Sequence, residues 1–558
     1  MRKLIYHDFV NEKVRPDGTL ESISFCEPQH FNFAFDVVDR LAASQPDKKA
    51  MIWLSENMEE RVFTFADMSR YSSMAANYFA SLGIGKGDVV LLVLRRHYQF
   101  WFTILALHKL GAVAVPATDQ LMKKDYVYRF NAAKVKAVVA TARGDVLQHI
   151  EDALPQSPTV QVKVAVNGTR DGWGDFDGQL TRFADTFPRP QGSAATDNDD
   201  PMLMYFTSGT TSYPKIAAHS FTYPLGHVVT ARWWHNVDPD GVHFTISDTG
   251  WGKAVWGKLY GQWLCEGCVF TFDFDRFDAH QILPLFAKYN ITTFCAPPTM
   301  YRFFIKEDLT QYDLSSLQYS NTAGEALNPE VYKQWYNATG LKLMEGFGQT
   351  ETTLTIGNLI GMEPRPGAMG KPNPQYDIDI VAADGHSAVP GEMGEVVVRT
   401  DKGHPHGMFI GYYLDEEKTR AAWHDDVYHT GDMAWRDEDG YYWFVGRTDD
   451  LIKSSGYRIS PFEIESVIME HPAVLECAVT AAPDPVRGQV VKATIVLTRG
   501  YTAGDDLKKE IQTYVKQNTA PYKYPRIVEF VTELPKTISG KIRRVEIRGE
   551  KQQTPPVE

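Results

Sequence analysis

The apolar stretch Val89-Val-Leu-Leu-Val-Leu94 decides the fold class, because none of its side chains is polar. A strand without polar alternation is typical of a parallel sheet that is covered on both faces. From about residue 49 to 166, the chain around it alternates short apolar runs with segments of helical periodicity. We therefore predict a mostly parallel sheet with helices on both of its faces.

The segments beside this strand predict individual elements. Lys49 to Leu54 is predicted to be a strand, and Thr64 followed by Asp67 predicts a capped helix that runs to Gly83. Further along we predict a helix around 100–110, a strand at 112–117, a helix near Asp125 and a strand at 137–141.

The rest of the chain first repeats the α/β pattern and then becomes richer in predicted β-strands. A second α/β stretch runs from Met202 to about Cys295, β-rich segments follow after about residue 375, and a compact α+β unit covers about 450 to 558. The predicted fold class is α/β, with a large N-terminal body of duplicated α/β layers plus a β-rich subdomain. A small α+β C-terminal domain would follow on a hinge.

The charge balance limits the possible partners. The chain has 57 basic and 70 acidic residues among 558, a net charge of −13. A non-specific nucleic-acid or anionic-membrane binder needs a positive field, so both classes are disfavoured, although a local basic pocket for a small polyanion is not.

Cysteine content and hydropathy indicate the compartment. The five cysteines are an odd number in a long chain, which favours a reducing environment over a disulfide framework. Cys265-Glu-Gly-Cys268 lacks the second pair of a zinc site, so packed thiols are the favoured interpretation. No signal-peptide core and no apolar run long enough for a membrane helix is evident, and we predict a soluble, cytoplasmic protein.

Two segments suggest phosphate and nucleotide chemistry. Thr207-Ser-Gly-Thr-Thr-Ser-Tyr-Pro-Lys215 follows the apolar strand Leu203-Met-Tyr-Phe206 and can present backbone N–H groups, hydroxyls and an ammonium to phosphate oxygens. Gly346-Phe-Gly-Gln-Thr-Glu351 combines an aromatic ring for stacking, a hydroxyl and a carboxylate that suits Mg²⁺. Taken alone, the first segment is more often a solvated turn, and the second is better explained as a glycine-rich turn before a helix.

Three later segments complete an ordered set of motifs. They are Tyr428-His-Thr-Gly-Asp432, Gly446-Arg-Thr-Asp-Asp-Leu-Ile-Lys-Ser-Ser-Gly-Tyr-Arg458 and Leu534-Pro-Lys-Thr-Ile-Ser-Gly-Lys541. With them, the chain resembles the adenylate-forming (ANL) superfamily of acyl-CoA synthetases, adenylation domains and luciferases from about residue 30 to 548. Within it the chain is most similar to the medium-chain acyl-CoA synthetases, through segments such as Ser247-Asp-Thr-Gly-Trp251 and Thr519-Ala-Pro-Tyr-Lys-Tyr-Pro-Arg526.

This resemblance implies an AMP-forming acid:CoA ligase with two half-reactions. A carboxylate and MgATP give an acyl-adenylate and pyrophosphate, and the CoA thiol then displaces AMP. The resemblance also implies an N-terminal adenylate-forming domain, residues 1–448, and a mobile C-terminal domain, residues 449–558, that rotates between the steps about Asp449. ATP, Mg²⁺ and CoA are the expected cofactors and co-substrates.

The resemblance assigns most of the quoted residues to ATP. Lys541 would be the adenylation lysine, Glu351 would bind Mg²⁺, Thr350 would contact the adenylate phosphate and Asp432 the ribose. The full expected ATP set is Thr207, Ser208, Gly209, Thr210, Thr211, Ser212, Lys215, Gly324, Glu325, Ala326, Glu345, Gly346, Phe347, Gly348, Gln349, Thr350, Asp432, Arg447, Arg458 and Lys541.

The expected CoA and acyl sites rest on fewer signals. The resemblance places Gln120, Ser455, Gly456, Tyr457, Arg487 and Lys516 around CoA, and Trp251, Gly252 and Lys253 at the acyl pocket. Lys253 would be costly against an alkyl chain, so it is expected to point elsewhere, unless it meets a polar or anionic substrate tail. Ser212 stands where the superfamily commonly has glycine, which puts the rate rather than the reaction type in doubt.

The substrate expected from the resemblance is a small carboxylic acid of medium chain, short and branched, or aryl. The alternatives are a stand-alone adenylation enzyme that loads a carrier protein, and an acetyl- or propionyl-CoA synthetase; a non-catalytic ATP-binding protein is disfavoured because Glu351 and Lys541 are present. No nucleic-acid partner and no transmembrane segment are expected, and a homo-oligomer is possible.

Overall fold

The computed structural model describes residues 3–207, 214–454, 457–536 and 542–549. It confirms the α/β prediction, with two large sheets, helices packed on them and a smaller sheet near the C-terminus. Within these residues, no helix combines the length and the apolar character needed to cross a membrane.

The first large sheet contains the stretch that predicts the fold. Six of its strands run parallel: β10, β6, β5, β7, β8 and β9. Strands β11 and β21 are added antiparallel at the edge beside β10. In spatial order the strands are β21 (Gly411–Tyr412), β11 (Ile216–Ser220), β10 (Pro201–Phe206), β6 (Val113–Pro116), β5 (Val89–Val93), β7 (Ala137–Thr141), β8 (Val162–Val166) and β9 (Gly174–Asp175).

The second large sheet joins a parallel half to an antiparallel half. Strands β3 and β12 to β16 are parallel, and the strands beyond β16 are antiparallel and correspond to the predicted β-rich subdomain. In spatial order they are β19 (Asp377–Val381), β20 (Met393–Arg399), β23 (Val427–Arg436), β24 (Tyr442–Arg447), β18 (Ala368–Pro372), β17 (Leu354–Gly357), β16 (Leu343–Gly348), β15 (Tyr319–Ala323), β14 (Ile291–Ala296), β12 (Val242–Thr245), β13 (Cys268–Asp273), β3 (Lys49–Ser55) and β4 (Glu60–Thr64), with β22 (Trp423–His424) beside β23.

The remaining strands form two smaller sheets. The C-terminal sheet has the order β26 (Tyr457–Ile459), β25 (Ile452–Ser454), β28 (Gly488–Leu497), β27 (Val474–Asp484), with β29 (Ile527–Val531) beside β28, and β1 (Val10–Val14) pairs with β2 (Leu20–Phe25).

The helices lie between these strands and cover the sheets. They are α1 (Arg40–Ser44), α2 (Phe65–Ser81), α3 (Gln99–Leu110), α4 (Lys123–Ala132), α5 (Val146–Ala153), α6 (Phe176–Leu180), α7 (Gly252–Lys258), α8 (Tyr260–Leu264), α9 (Ala279–Lys288), α10 (Pro298–Phe304), α11 (Pro329–Thr339), α12 (Glu416–Ala422), α13 (Pro461–Met469), α14 (Asp505–Asn518) and α15 (Arg544–Arg548). Shorter 3-10 and π-helical turns are Ile5–Asp8, Ala34–Asp39, Leu154–Gln156, Gly192–Ala194, Tyr223–Gly226, Val229–Trp234, Leu309–Gln311 and Pro521–Lys523.

The local signals in the sequence have the expected physical effect. Every residue of β5 is buried, as is every residue of α3 that packs on it. Thr64 accepts a hydrogen bond from the backbone of Asp67 and Asp67 reciprocates, so the predicted capping box starts α2.

The cysteines of the CxxC pair are free and buried. Among the described residues no cluster of His, Cys, Asp or Glu could hold a metal ion.

The parallel strands of both sheets end at a shared crevice. Thr118 follows β6 and Thr207 follows β10 in the first sheet, while Gly324 follows β15 and Gln349 follows β16 in the second. Ligands of open α/β sheets bind outside the carboxyl ends of the strands. Most of the predicted ATP residues therefore lie at the edge of the fold where a ligand is expected.

The C-terminal unit has its own core and a buried ion pair. Its apolar cluster draws on α13, α14 and strands β25 to β29. Glu465 is 6 % exposed. Both of its oxygens accept from Nη2 of Arg544, at 2.7 and 2.8 Å, and the backbone N–H of Val479 donates to it at 2.7 Å. This pair attaches α15 to α13.

Replacing Arg544 with methionine should destabilise the C-terminal unit by about 3–5 kcal/mol, because it leaves the Glu465 carboxylate buried without its cation. The matched control is Lys536→Met, which removes a more exposed pair with Glu476 and should cost about 1 kcal/mol or less. Urea unfolding followed by circular dichroism would measure both changes. Equal losses in the two variants would contradict the role of the buried pair.

Candidate active site

The predicted phosphate loop connects β10 to β11. The two strands are paired up to Phe206 and Ile216, and the backbone N–H of Thr207 donates to the carbonyl of Lys215 at 2.8 Å. The two ends of the loop are thus fixed to the sheet. Residues 208–213, which include Ser208, Gly209, Thr210, Thr211 and Ser212, lie outside the described residues.

Lys215 and Glu351 are brought together by a tyrosine that the motifs do not contain. The ammonium of Lys215 lies 4.6 Å from the ring centroid of Tyr412, and the hydroxyl of Tyr412 donates to Oε1 of Glu351 at 2.9 Å. Burial and the negative charge of Glu351 raise the pKa of Tyr412 above its usual range, so its hydroxyl remains a donor. One tyrosine therefore contacts a cation through its ring and a carboxylate through its hydroxyl.

Backbone contacts hold the Thr350–Glu351 segment. Nε2 of His219 donates to the carbonyl of Thr350 at 2.9 Å, and the N–H of Phe409 donates to the carbonyl of Glu351 at 2.7 Å. Burial lowers the pKa of His219 to about 3, so its imidazole is neutral at physiological pH. The backbone at this point is fixed on both sides by the first sheet and its edge.

A second polar network surrounds Asp432. Gln349 donates to Asp432 and to the carbonyl of Thr430, and accepts from the hydroxyl of Tyr428 at 2.8 Å. Nη1 of Arg447, across from Asp432 in the β23–β24 pairing, lies 3.4 Å from its Oδ1. Asp432 is 5 % exposed, so its charge is largely desolvated and needs these partners.

The arginine in this network also touches the predicted hinge. Nε of Arg447 lies 3.6 Å from Oδ1 of Asp449. Burial disfavours the charged form of Arg447, but Asp432 and Asp449 outweigh it and raise the pKa of its guanidinium. Arg447 thus stays cationic beside both carboxylates. The side chain of Arg458 and the whole of Lys541 lie outside the described residues.

Gly324, Glu325 and Ala326, which the resemblance to the superfamily places along the adenine of ATP, form the adenine segment. The side chains of Glu325 and Glu345 fix this segment. Glu325 accepts from the hydroxyl of Thr299 at 2.8 Å and pairs with Arg302 at 3.2 Å. Glu345 accepts from the backbone N–H of Leu327 at 3.0 Å, just after Gly324–Ala326. Phe347 is half-buried, 6.3 Å from the ring of Phe444.

Glu345 is the most strongly perturbed carboxyl group of this segment. It is 3 % exposed, and its second oxygen has no hydrogen-bond partner. Burial raises the pKa of Glu345 to about 8. The side chain is therefore mostly protonated at neutral pH and supports the segment as a neutral acid.

The predicted acyl-pocket residues begin α7. Nζ of Lys253 donates to the carbonyl of Ala323 at 2.7 Å, at the end of β15. The preceding segment is anchored by Arg96, which pairs with Asp248 at 3.0 Å, and by Lys258, whose Nζ donates to the carbonyl of Ser247 at 2.7 Å. Lys253 is thus bonded to the backbone beside the adenine segment, and Trp251 is half-buried at the helix start, next to Gly252.

A further tryptophan closes this region, and sequence reasoning missed it. Trp256 lies on the same helix, and its ring covers the backbone of Gly348; a Cβ at Gly348 would lie 2.4 Å from the ring. Trp256 is 8 % exposed and packs near the ring of His227, at a centroid distance of 6.1 Å. Only glycine at position 348 allows this close approach, two residues before Thr350.

The described members of the predicted CoA set are exposed, and only some of them lie near other aromatic or basic side chains. Tyr457 is 51 % exposed and stacks on Tyr522 at 4.2 Å, and Nζ of Lys516 lies 4.0 Å from the ring centroid of Tyr524. Arg487 and Gln120 are exposed, and no contact between them or with this pair of tyrosines is recorded among the described residues. Ser455 and Gly456 lie outside those residues.

The site residues that the sequence analysis did not predict differ in how strongly the sequence signals them. Tyr428 begins a quoted motif, and Tyr522 and Tyr524 flank a lysine in a quoted segment, so an aromatic and basic pattern was available there. Tyr412 shows no comparable signal. Trp256 ends the stretch Gly250–Trp256, where the acyl pocket is expected, but its contact with Gly348 joins residues distant in the chain.

Glu345→Gln should make the stability of the protein less sensitive to a rise in pH from about 4.5 to about 8. With a native pKa of about 8 and an ordinary value of 4.5, Glu345 holds a proton in the native state that the unfolded chain releases. Wild-type stability should therefore fall, by at most about 1.4 kcal/mol per pH unit, between about pH 4.5 and about pH 8, while the glutamine variant lacks this loss.

Urea unfolding at a series of pH values would measure this difference. The control is Glu363→Gln, since that side chain is 72 % exposed and pairs with Lys342 at the surface. A stability difference between wild type and Glu345→Gln that stays constant with pH would contradict the assignment.

Comparison with known proteins places this site in a family. Residues 38–413 match the AMP-binding enzyme family and residues 463–541 match the AMP-binding enzyme C-terminal domain. The human acyl-coenzyme A synthetase ACSM5, mitochondrial, is 43% identical over 96% of this chain and 93% of its own, and human ACSM3, also named mitochondrial, is 40% identical over 94% and 91%.

Solved structures support the same family assignment. An anthranilate CoA ligase, AuaEII, in complex with anthranoyl-AMP superposes with a TM-score of 0.85 at 29% identity, covering 94% of this chain and 98% of its own. A benzoate CoA ligase from Burkholderia xenovorans LB400 superposes with a TM-score of 0.80 at 26% identity, covering 93% and 100%. The chain therefore belongs to the AMP-binding enzyme family and, within it, to the group of the acyl-coenzyme A synthetases.

Proposed function

We propose that this protein is an AMP-forming acyl-CoA synthetase that converts a carboxylic acid, ATP and CoA into acyl-CoA, AMP and pyrophosphate through an acyl-adenylate. One observation carries the proposal: Lys215, Glu351 and Asp432 converge on the crevice at the sheet edges. We assign Lys215 to the phosphates, Glu351 to a metal ion and Asp432 to the ribose, a set of groups that suits a nucleoside triphosphate.

In the first half-reaction the residues would align the acid with ATP and screen the charges of the phosphates, rather than act as a general base. A carboxylate is a weak nucleophile toward a polyanion, so most of the rate comes from orientation and from stabilising the charge that develops on the α-phosphate. We assign Lys541 to bridge the carboxylate and this phosphate, Thr350 to contact it and Lys215 to bind the terminal phosphates. Asp432 would hold the ribose, and Arg447 the ribose or a phosphate.

The structure is compatible with Mg²⁺ at Glu351. Oε1 accepts from Tyr412, and no donor to the second oxygen is recorded among the described residues. Mg²⁺ commonly binds through one or two carboxylates together with substrate phosphates, so a single acidic side chain suits a metal that arrives with ATP. When bound, the ion would neutralise part of the phosphate charge.

The second half-reaction would use the C-terminal unit. Rotation about Asp449 would bring the segment of Ser455, Gly456 and Tyr457 to the adenylate, with the boundary between residues 448 and 449. The aromatic and basic surface of Tyr457, Tyr522, Lys516 and Tyr524 suits the adenine and phosphates of CoA. Arg487 and Gln120 are assigned to the same ligand.

The proposed acid is compact: aryl, branched, or of short to medium chain. Trp256 lies against Gly348, two residues before Thr350, and in this position it would limit the depth of an acyl pocket. The benzoate and anthranilate named in the solved relatives are acids of this kind. Because Lys253 already donates to Ala323, we do not assign it to a substrate tail.

Two rival functions have specific tests. A carrier-loading adenylation enzyme would release AMP only with a carrier protein, whereas a CoA ligase releases it with CoA alone. An acetyl- or propionyl-CoA synthetase would rank these two acids first in a pyrophosphate-release screen that runs from acetate to dodecanoate and includes branched and aromatic acids. The cytoplasmic location remains a prediction, since the named relatives are mitochondrial, and so does a homo-oligomer.

Lys541→Ala should separate the half-reactions. Adenylation from acid and ATP should fall by about three orders of magnitude, since a positioned charge in a transition state is removed. Thioester formation from supplied acyl-adenylate should largely survive. Equal loss in both steps, measured by pyrophosphate release and by acyl-CoA formation, would refute the role given to this lysine.

Trp256→Ala should shift the preference toward longer acids. Removing the indole opens space next to Gly348, so kcat/KM should rise for longer acids relative to benzoate or butyrate. The ratio should change by about tenfold or more, as expected for a few methylenes in an apolar pocket. Trp256→Phe should give a smaller shift with less loss of stability, and Trp173→Ala, in the loop before β9, should give none. An unchanged ratio in both Trp256 variants would contradict this position for the acyl group.

A further inference from the structure

Tyr412 contacts both charged groups of the candidate phosphate site and belongs to none of the motifs that define it. Its ring centroid is 4.6 Å from Nζ of Lys215, and its hydroxyl donates to Oε1 of Glu351 at 2.9 Å. No ion pair between Lys215 and Glu351 themselves is recorded among the described residues. One side chain therefore contacts two opposite charges.

The position of Tyr412 is set by the sheet and not by the phosphate loop. It lies in β21, in register with Ala217 of β11, and its backbone N–H donates to Oγ1 of Thr419 at 2.9 Å. The next residue, Tyr413, donates its N–H to the carbonyl of Ile216 at 2.8 Å. The ring is 7 % exposed and packs 5.0 Å from the ring of Phe409. Tyr412 is thus a fixed support for two longer, more flexible side chains.

The physical consequence is a separation of charges that would otherwise neutralise each other. Lysine has a long flexible stem and a strongly hydrated ammonium, and in a partly buried crevice it would readily pair with a glutamate. The aromatic face holds the ammonium by a cation–π contact, and the hydroxyl occupies one oxygen of the carboxylate. The second carboxylate oxygen and the ammonium remain available to a ligand.

We propose that Tyr412 is a positioning residue that keeps Lys215 and Glu351 apart and oriented, so that one is available to the terminal phosphates of a nucleotide and the other to its divalent cation. This inference rests on the proposed function for the identity of the ligand, but its contacts are those of this chain alone. Tyr412 itself touches neither reacting atom.

Two substitutions separate the two contacts. Tyr412→Phe keeps the ring under Lys215 and removes the bond to Glu351, so divalent-cation affinity should fall about tenfold, the usual effect of losing a partner behind a metal ligand. Tyr412→Leu removes both contacts and should in addition weaken metal-free binding of a nucleoside triphosphate by about fivefold. Binding of AMP, which has no terminal phosphates, should be unchanged in both.

The experiment is a Mn²⁺ titration followed by electron paramagnetic resonance, with α,β-methylene-ATP as a nucleotide that cannot transfer its adenylyl group to an acid. Calorimetry would measure AMP and metal-free α,β-methylene-ATP binding to the same proteins. Tyr413→Phe is the matched control, because this neighbour has its side chain in the apolar cluster on the other side of the strand and should bind Mn²⁺ as wild type does.

The outcomes are distinct. Mn²⁺ affinity of Tyr412→Phe equal to that of wild type would overturn the proposal, and so would a parallel loss of AMP binding, which indicates general disruption of the site. Failure of the wild-type protein to convert any acid would refute the proposed function and leave the Mn²⁺ comparison intact. Tyr412→Phe that adenylates acids normally at saturating Mg²⁺ but needs about tenfold more Mg²⁺ would support both.

Discussion

The candidate site depends on a close backbone contact between the two large sheets. Gly250, in the segment after β12, lies against the chain after β6; a Cβ there would be 2.4 Å from the carbonyl carbon of Ala117 and from the nitrogen of Thr118. The ion pair of Arg96, which follows β5, with Asp248, which follows β12, joins the same two sheets. Without this contact, the carboxyl ends of the two sets of parallel strands would not share a crevice.

That contact also determines which residues can cooperate. The first sheet and its edge contribute Lys215 and Tyr412, whereas Glu351 follows the last parallel strand of the second sheet and Asp432 comes from its antiparallel half. The net charge of −13 belongs to the whole chain and says little about this region. In this region the charged side chains lie near tyrosines. The hydroxyl or ring of each tyrosine positions a neighbouring side chain without adding a charge.

The sequence predicted the layers of the fold and the residues in its motifs, because both are local signals. Apolar runs and the Thr64–Asp67 cap identify strands and helices from neighbouring residues, and the predicted helix Thr64 to Gly83 appears as α2, Phe65–Ser81. Tyr412 and Trp256 could not be found in this way. Their functions arise from the pairing of β21 with β11 and from the packing of α7 on β16, which join residues far apart in the chain.

The walls of the crevice strengthen the few charges that it contains. Burial raises the pKa of Glu345 to about 8 and lowers the pKa of Lys258 to about 7, so both groups favour their neutral forms near physiological pH. Each still forms a hydrogen bond to the backbone, to Leu327 and to Ser247, and so orders a segment without a full charge. A neutral, poorly polarisable wall screens less than water does. Such walls would strengthen the attraction of Lys215 and Arg447 for the polyanion that we propose they bind.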